Sequence, residues 1–192
     1  MNLHINDGMI PGTILKRAEM GNATGLRFLN KIFYISDGIM MSEIRGISGL
    51  DTSTLQNWVK RHWIENAKLK KYDIDQVARI LIINMLRSCM QLDHIAFLIK
   101  YINGSVDSKE DDIIRESILY DYICRIIDRL TETECVPEHK VKQYVEEVVA
   151  DYEEKIGGAK KRLVNALEVI IVAYYASLMK QRSDAMIGAL MK

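Results

Sequence analysis

The sequence is short of the residues that break or staple a chain. It has 2 Pro and 11 Gly in 192 residues, so few positions force a turn and long helices are allowed. Its three cysteines, Cys89, Cys124 and Cys135, are odd in number and have no paired spacing. That excludes a disulfide framework and leaves reduced thiols, as expected for a cytoplasmic protein. Cys89 and His94 stand five apart and no second such pair follows, so no metal site is expected. A Gly-rich phosphate loop, a nucleophile with its base and a paired-carboxylate motif are all missing. Enzymatic function and a bound cofactor are therefore not expected. The N-terminus has no basic region followed by an apolar core, so no signal peptide is expected. The most apolar run, Leu163 to Met179, carries Asn165 and Glu168, which favours a buried helix over a membrane span.

Charge of one sign is also missing, since 26 Lys and Arg balance 26 Asp and Glu. The distribution is uneven, however. Residues 1–104 have 13 basic against 9 acidic side chains, residues 105–156 have 7 against 15, and residues 157–192 have 6 against 2. A weakly basic front joined to an acidic middle fits a DNA-reading module attached to one that does not touch DNA.

With 48% hydrophobic and 27% charged residues, the chain reads as a globular, mostly helical protein. Its clearest signal lies between Met41 and Ile102. Ser48-Gly49-Leu50-Asp51 forms a turn, because Gly49 allows a positive φ and Asp51 is a good N-cap. A short helix follows to Arg61, with Leu55, Trp58 and Val59 on one face. Thr52, Ser53, Thr54, Gln56, Asn57, Lys60 and Arg61 share the other face, which offers hydroxyls, two amides for base edges and cations for phosphate. Trp58 and Tyr72 are expected in the core, since large apolar bodies anchor a small domain first. Beyond this helix, Ile64 to Tyr72 reads as a short basic wing whose Lys68, Lys70 and Lys71 suit phosphate contacts. Asp73 and Gln76 then form a capping box, which starts a helix carrying Val77, Ile80, Leu81 and Asn84 inward.

In order and spacing, Ser42-Glu43-Ile44, Gly49-Leu50-Asp51, Thr54-Leu55, Tyr72-Asp73-Ile74-Asp75 and Leu92-Asp93-His94-Ile95 resemble the MerR-type winged helix-turn-helix. With Lys70-Lys71-Tyr72, the chain looks more narrowly like an uncharacterised bacterial family of MerR-like proteins, a domain of unknown function. The resemblance covers roughly residues 40–102, about a third of the chain. It implies a dimeric transcription regulator whose reader helix enters the major groove of double-stranded DNA while the wing touches the backbone. The sequence departs from the family at Gln56 and Asn57, where cationic or aromatic residues are usual, and at His62 and Cys89, where Gly is usual.

The flanks read as helices. Thr13 caps a short helix through Met20, and Thr24 to Ile35 forms another, both packed on the reader module in a segment spanning residues 1–40. An N-terminal arm reaching DNA is the weaker alternative for Lys16, Arg17, Arg27 and Lys31. After residues 41–104, the turn-rich Asn103 to Ser108 marks a boundary. In residues 105–192, a helix capped by Ser108 carries Ile113 to Leu130. Another runs from Pro137 to Ile156. A last one begins near Ala159 and breaks near Ser183-Asp184.

The expected fold class is thus all-α with at most a small β wing, a winged helix-turn-helix domain followed by a C-terminal helical bundle. Because the last helix is apolar on nearly all sides, a second copy of the chain is its expected partner, giving a homodimer. An effector or protein partner for the bundle is left open. The competing expectation is a helical protein-interaction adaptor with a degenerate winged helix, favoured by the zero net charge and the lost reader-helix arginines.

Overall fold

The computed structural model describes residues 8–104, 111–131 and 138–191. Among these the chain is mostly helical, with one two-stranded sheet. After an irregular lead come α1 (Gly25–Ile32), β1 (Ile39–Met40), α2 (Met41–Ser48), α3 (Thr52–Lys60), β2 (Lys71–Tyr72), α4 (Ile74–Leu86) and α5 (Leu92–Asn103). They are followed by α6 (Glu116–Thr131), α7 (Glu138–Val148) and α8 (Ala159–Leu190). Strands β1 and β2 pair antiparallel, Ile39 opposite Tyr72 and Met40 opposite Lys71.

Helix α4 is the interior element. Its apolar run lets it bury every residue from Gln76 to Ile83, then Met85 and Leu86, with α6, α8, α2 and α5 around it. The Asp73–Gln76 capping box closes in both directions at 2.9 Å, so the helix starts where the sequence expects. Within this shell Arg79 forms a buried ion pair with Glu116. Asn103 completes the knot, donating to the Ile114 carbonyl at 2.6 Å and to Glu116 at 3.3 Å while accepting from the Ile114 N–H at 3.2 Å. Asp75 adds a second tie, accepting from the Ser117 N–H at 3.0 Å and the Arg115 guanidinium at 2.9 Å. Burial pushes the Asp75 carboxyl up, but these donors outweigh it and leave it below the usual carboxylate range.

Several expected boundaries move. The helix expected at Thr13–Met20 is instead a turn, with Met9 bridged to Lys16 and only a 3-10 turn at Ala18–Met20. It lies close on the core: Ile10 is fully buried, Tyr120 donates to the Pro11 carbonyl at 2.7 Å, and Asn84 donates to the Gly12 carbonyl at 2.9 Å. A Cβ on Gly12 (φ +76) would stand 2.2 Å from the Leu81 carbonyl oxygen, so this approach requires glycine. Arg17 is ion-paired to Asp128, which ties the lead to α6.

The helix expected to reach Ile35 stops at Ile32, because Ser36 to Gly38 must turn the chain into β1. Helix α6 begins at Glu116, since Asn103 holds both backbone groups of Ile114 outside a helix. Helix α7 ends at Val148, and Tyr152 is drawn into an extended conformation with its hydroxyl donating to the Ile113 carbonyl at 2.9 Å. Helix α8 does not break at Ser183-Asp184; it runs on to Leu190, helped by a Lys180–Asp184 pair at 2.7 Å. The expected cap at Ser108, the helix start at Pro137, and Cys135 lie outside the described residues.

Helices α6, α7 and α8 pack on one another, and one buried cluster runs from Ile10 to Leu178, continuous across residue 104. By length and composition α8 is apolar enough to cross a membrane, yet 44% of its most apolar window is buried against the rest of the chain. Replacing Glu116 by Ala leaves Arg79 buried without its charge partner and should cost about 3–5 kcal/mol in urea unfolding. The double replacement Arg79→Met with Glu116→Leu removes both charges and should restore most of that loss.

Candidate functional site

The turn between α2 and α3 is set by three residues. Gly49 takes φ +71, where an added Cβ would stand 2.7 Å from the Ile14 side chain. Ser48 donates to the Ile44 carbonyl at 2.7 Å and accepts from the Leu50 N–H at 3.2 Å. Asp51 caps α3, accepting from the Thr54 N–H at 2.7 Å. Its inner face is anchored by Leu55 and Trp58, each 1% exposed.

The opposite face has two kinds of residue. The Ser53 and Thr54 hydroxyls both donate to the Asp51 carboxylate, so they reinforce the cap, and Thr52 and Thr54 are half-buried. The Asn57 side-chain oxygen accepts from Arg61 at 3.3 Å, and the Arg61 guanidinium lies 5.2 Å from the Trp63 ring centre. Gln56 and Lys60 are exposed, with no hydrogen bond or ion pair to the described residues. His62, where a glycine was usual, still takes a positive φ of +55.

The basic segment is a tight hairpin. Lys68 and Lys71 exchange both backbone hydrogen bonds at 2.9 Å, around Leu69 (φ +51) and Lys70 (φ +65). Two successive positive φ values are the mark of a two-residue turn that matches strand twist. Neither residue is Gly or Asn, so each conformation costs about 1–2 kcal/mol. The outgoing strand is β2, whose partner β1 precedes the helix pair. Tyr72 and Ile64 anchor the hairpin in the core, and Gln76 donates to the Asn66 carbonyl at 3.1 Å. Lys68 and Lys70 project from it, while Lys71 reaches Ser36 at 3.0 Å.

Three side chains at this end escaped sequence reading. Leu69 is 97% exposed, Ile35 95% and Tyr34 88%. Helical periodicity through Ile35 concealed the latter two; the Ser36-Asp37-Gly38 turn signal was the clue that the helix ends earlier.

Residues 28–123, half of the chain, match the family described as Domain of unknown function (DUF1836). The chain belongs to that family. The matched segment includes the latter part of α1 from Phe28, both strands, α2 to α5 and the first half of α6. The chain is also 27% identical over 107 residues to the uncharacterized protein YkrK of Bacillus subtilis (strain 168), covering 53% of this chain. It spans about half the length, 46%, of that curated relative. No solved structure matches.

Among the described residues no three His, Cys, Asp or Glu side chains gather to hold a metal ion. Burial, with Asp128 nearby, pushes the Cys124 thiol up to about 12, so it stays protonated at neutral pH.

Hydrogen bonds from Ser53 and Thr54 hold the Asp51 carboxyl at about 2. A depressed folded-state pKa makes the cap's contribution fully present above the unfolded value of about 4 and lost as pH falls through about 2. An NMR titration of the Asp51 carboxyl carbon should give a midpoint near 2, and Asp51→Ala should speed amide exchange at Thr54. A midpoint near 4 would remove Asp51 from the cap.

Proposed function

We propose that this protein is a cytoplasmic, homodimeric, sequence-specific DNA-binding regulator of transcription, built on a MerR-like winged helix-turn-helix. The reader helix is α3 and the wing is the Lys68–Lys71 hairpin. The observation that carries this reading is the pairing of an amide- and cation-bearing α3 face with a rigid lysine turn beyond it. Gln56 and the amide nitrogen of Asn57 suit a base edge, and Lys60, Arg61, Lys68, Lys70 and Lys71 suit phosphate. The Thr52, Ser53 and Thr54 hydroxyls retain acceptor lone pairs beside the helix start.

Selection of bound duplexes from a random pool tests the reading directly and yields the operator. Lys70→Glu with Lys71→Glu should weaken binding to every duplex, whereas Gln56→Ala should shift sequence preference by about 1–3 kcal/mol at one position. Equal duplex affinity for wild type and the charge reversal sinks the proposal.

The competing reading, a protein-interaction adaptor with a degenerate winged helix, draws on one structural observation. Ser53, Thr54 and Arg61 already have partners within the chain, which leaves few free donors on α3. Retention on heparin that is independent of salt would favour it; a steep salt dependence favours the regulator.

The homodimer has its own support. Beyond the body, residues 181–190 of α8 are exposed. Val169, Val172, Ala176, Met179, Ser183, Met186 and Leu190 form an outward stripe at alternating three- and four-residue spacing, the repeat of a two-helix seam. A groove of about 730 Å³, lined by Met90, Val141, Val169, Val172 and Ala173, borders its start. A two-fold pairing brings two α3 helices to successive half-sites. Met179→Glu with Met186→Glu should give a monomer by light scattering and weaken duplex binding. A monomeric wild type at working concentration removes the dimer from the reading.

A further inference from the structure

The wing turn is built from residues that such a turn disfavours. A two-residue hairpin turn with both φ values positive is normally Asn-Gly or Asp-Gly, yet here it is Leu69-Lys70. Among the described residues no side chain packs on it to repay this choice, since Leu69 is 97% exposed. A leucine held in a strained conformation and aimed at solvent points to a contact outside the chain. Its surroundings narrow the partner. Lys68, Lys70 and Lys71 flank it, and the adjacent loop, joined through the Lys71–Ser36 hydrogen bond, presents Tyr34 and Ile35.

An apolar tip ringed by cations fits a partner that is anionic at its rims and apolar between them. The minor groove of duplex DNA has this form: phosphates line its edges, and aliphatic side chains wedge between its base steps. We propose that Leu69 is an apolar wedge for the minor groove, with Lys68 and Lys70 on the flanking phosphates. This rests on the DNA-binding reading above. Leu69 follows Arg61 by eight residues, so the wing tip stands within roughly 27 Å of the end of α3. That span is less than one turn of duplex, about 34 Å, so a reader helix in the major groove leaves a neighbouring minor groove within reach. An anionic bilayer also attracts lysine-flanked apolar tips, but it has no base edges for the nearby Gln56 and Asn57 amides to recognise.

The test separates the wedge from the charge and from the fold. Leu69→Asn keeps the charge and suits the turn, since Asn accepts positive φ. It should raise the Tm by several degrees while weakening affinity for an AT-rich duplex about ten-fold, with the salt slope unchanged. Lys70→Gly should also raise the Tm, but should lower the salt slope by about one. A fluorescent adenine analogue placed along the duplex should brighten at one step with wild type, as that base unstacks, and stay dark with Leu69→Asn. If Leu69→Asn binds like wild type while the Lys70 and Lys71 charge reversal abolishes binding, the wing touches phosphate alone; the wedge is overturned and the regulator stands. Absence of salt-dependent duplex binding by wild type overturns both. Tighter binding to phosphatidylglycerol vesicles than to duplex, lost in Leu69→Asn, would assign the tip to a membrane surface and overturn the wedge.

Discussion

One contact made away from water fixes the register in which the central helices meet, the ion pair between Arg79 on α4 and Glu116 at the start of α6. Two charges at this depth are tolerable only when each is paired and hydrogen-bonded, and Asn103 supplies a further bond to Glu116. The three residues come from three successive helices, so the cluster sets how α4, α5 and α6 meet. A hydrophobic contact could slide by a residue or two at small cost. A buried guanidinium and carboxylate cannot, because displacement leaves both unsatisfied.

This constraint explains the extent of the family segment. The match runs to residue 123, past the turn-rich stretch after Asn103 and through the first half of α6. Ending the segment at residue 104 would take away Glu116 and the Ile114 backbone that Asn103 grips. Asp121 in turn accepts at 2.8 Å from the N–H of Leu26, just before the matched segment, and so ties the start of α1 to α6. Helices α1 and α6 therefore belong with the α2–α3 unit, and the apolar faces of α7 and α8 are added to that body.

Rigidity at the base of the Lys68–Lys71 hairpin has a similar origin. Tyr72 and Ile64 are buried, Gln76 holds the chain leading into the hairpin, and the short pairing with β1 fixes the outgoing strand. Strain at Leu69 and Lys70 persists because everything beneath them is over-determined. Residues 9–17 are held in the same manner, through Gly12 against α4 and Arg17 against Asp128.

Local chemistry in the sequence by itself determined the start of α3, the Asp73–Gln76 box that opens α4, the burial of Trp58 and Tyr72, and the mostly helical class. In each case the deciding atoms lie within one helical turn, or one apolar face announces itself by its spacing. Only the tertiary structure decided where α1, α6 and α7 stop or start, that Thr13 to Met20 form a turn and a short 3-10 turn instead of a helix, and that Leu69 stands at the tip of a strained turn. Those outcomes rest on partners beyond the local helical turn: Asn103 for Ile114 at 11 residues, Ile113 for Tyr152 at 39, and Asn84 of α4 for Gly12 at 72. Propensity along the chain has no access to such pairings, since a helix that is favourable by spacing is abandoned when a distant donor or a close backbone approach stabilises another conformation more.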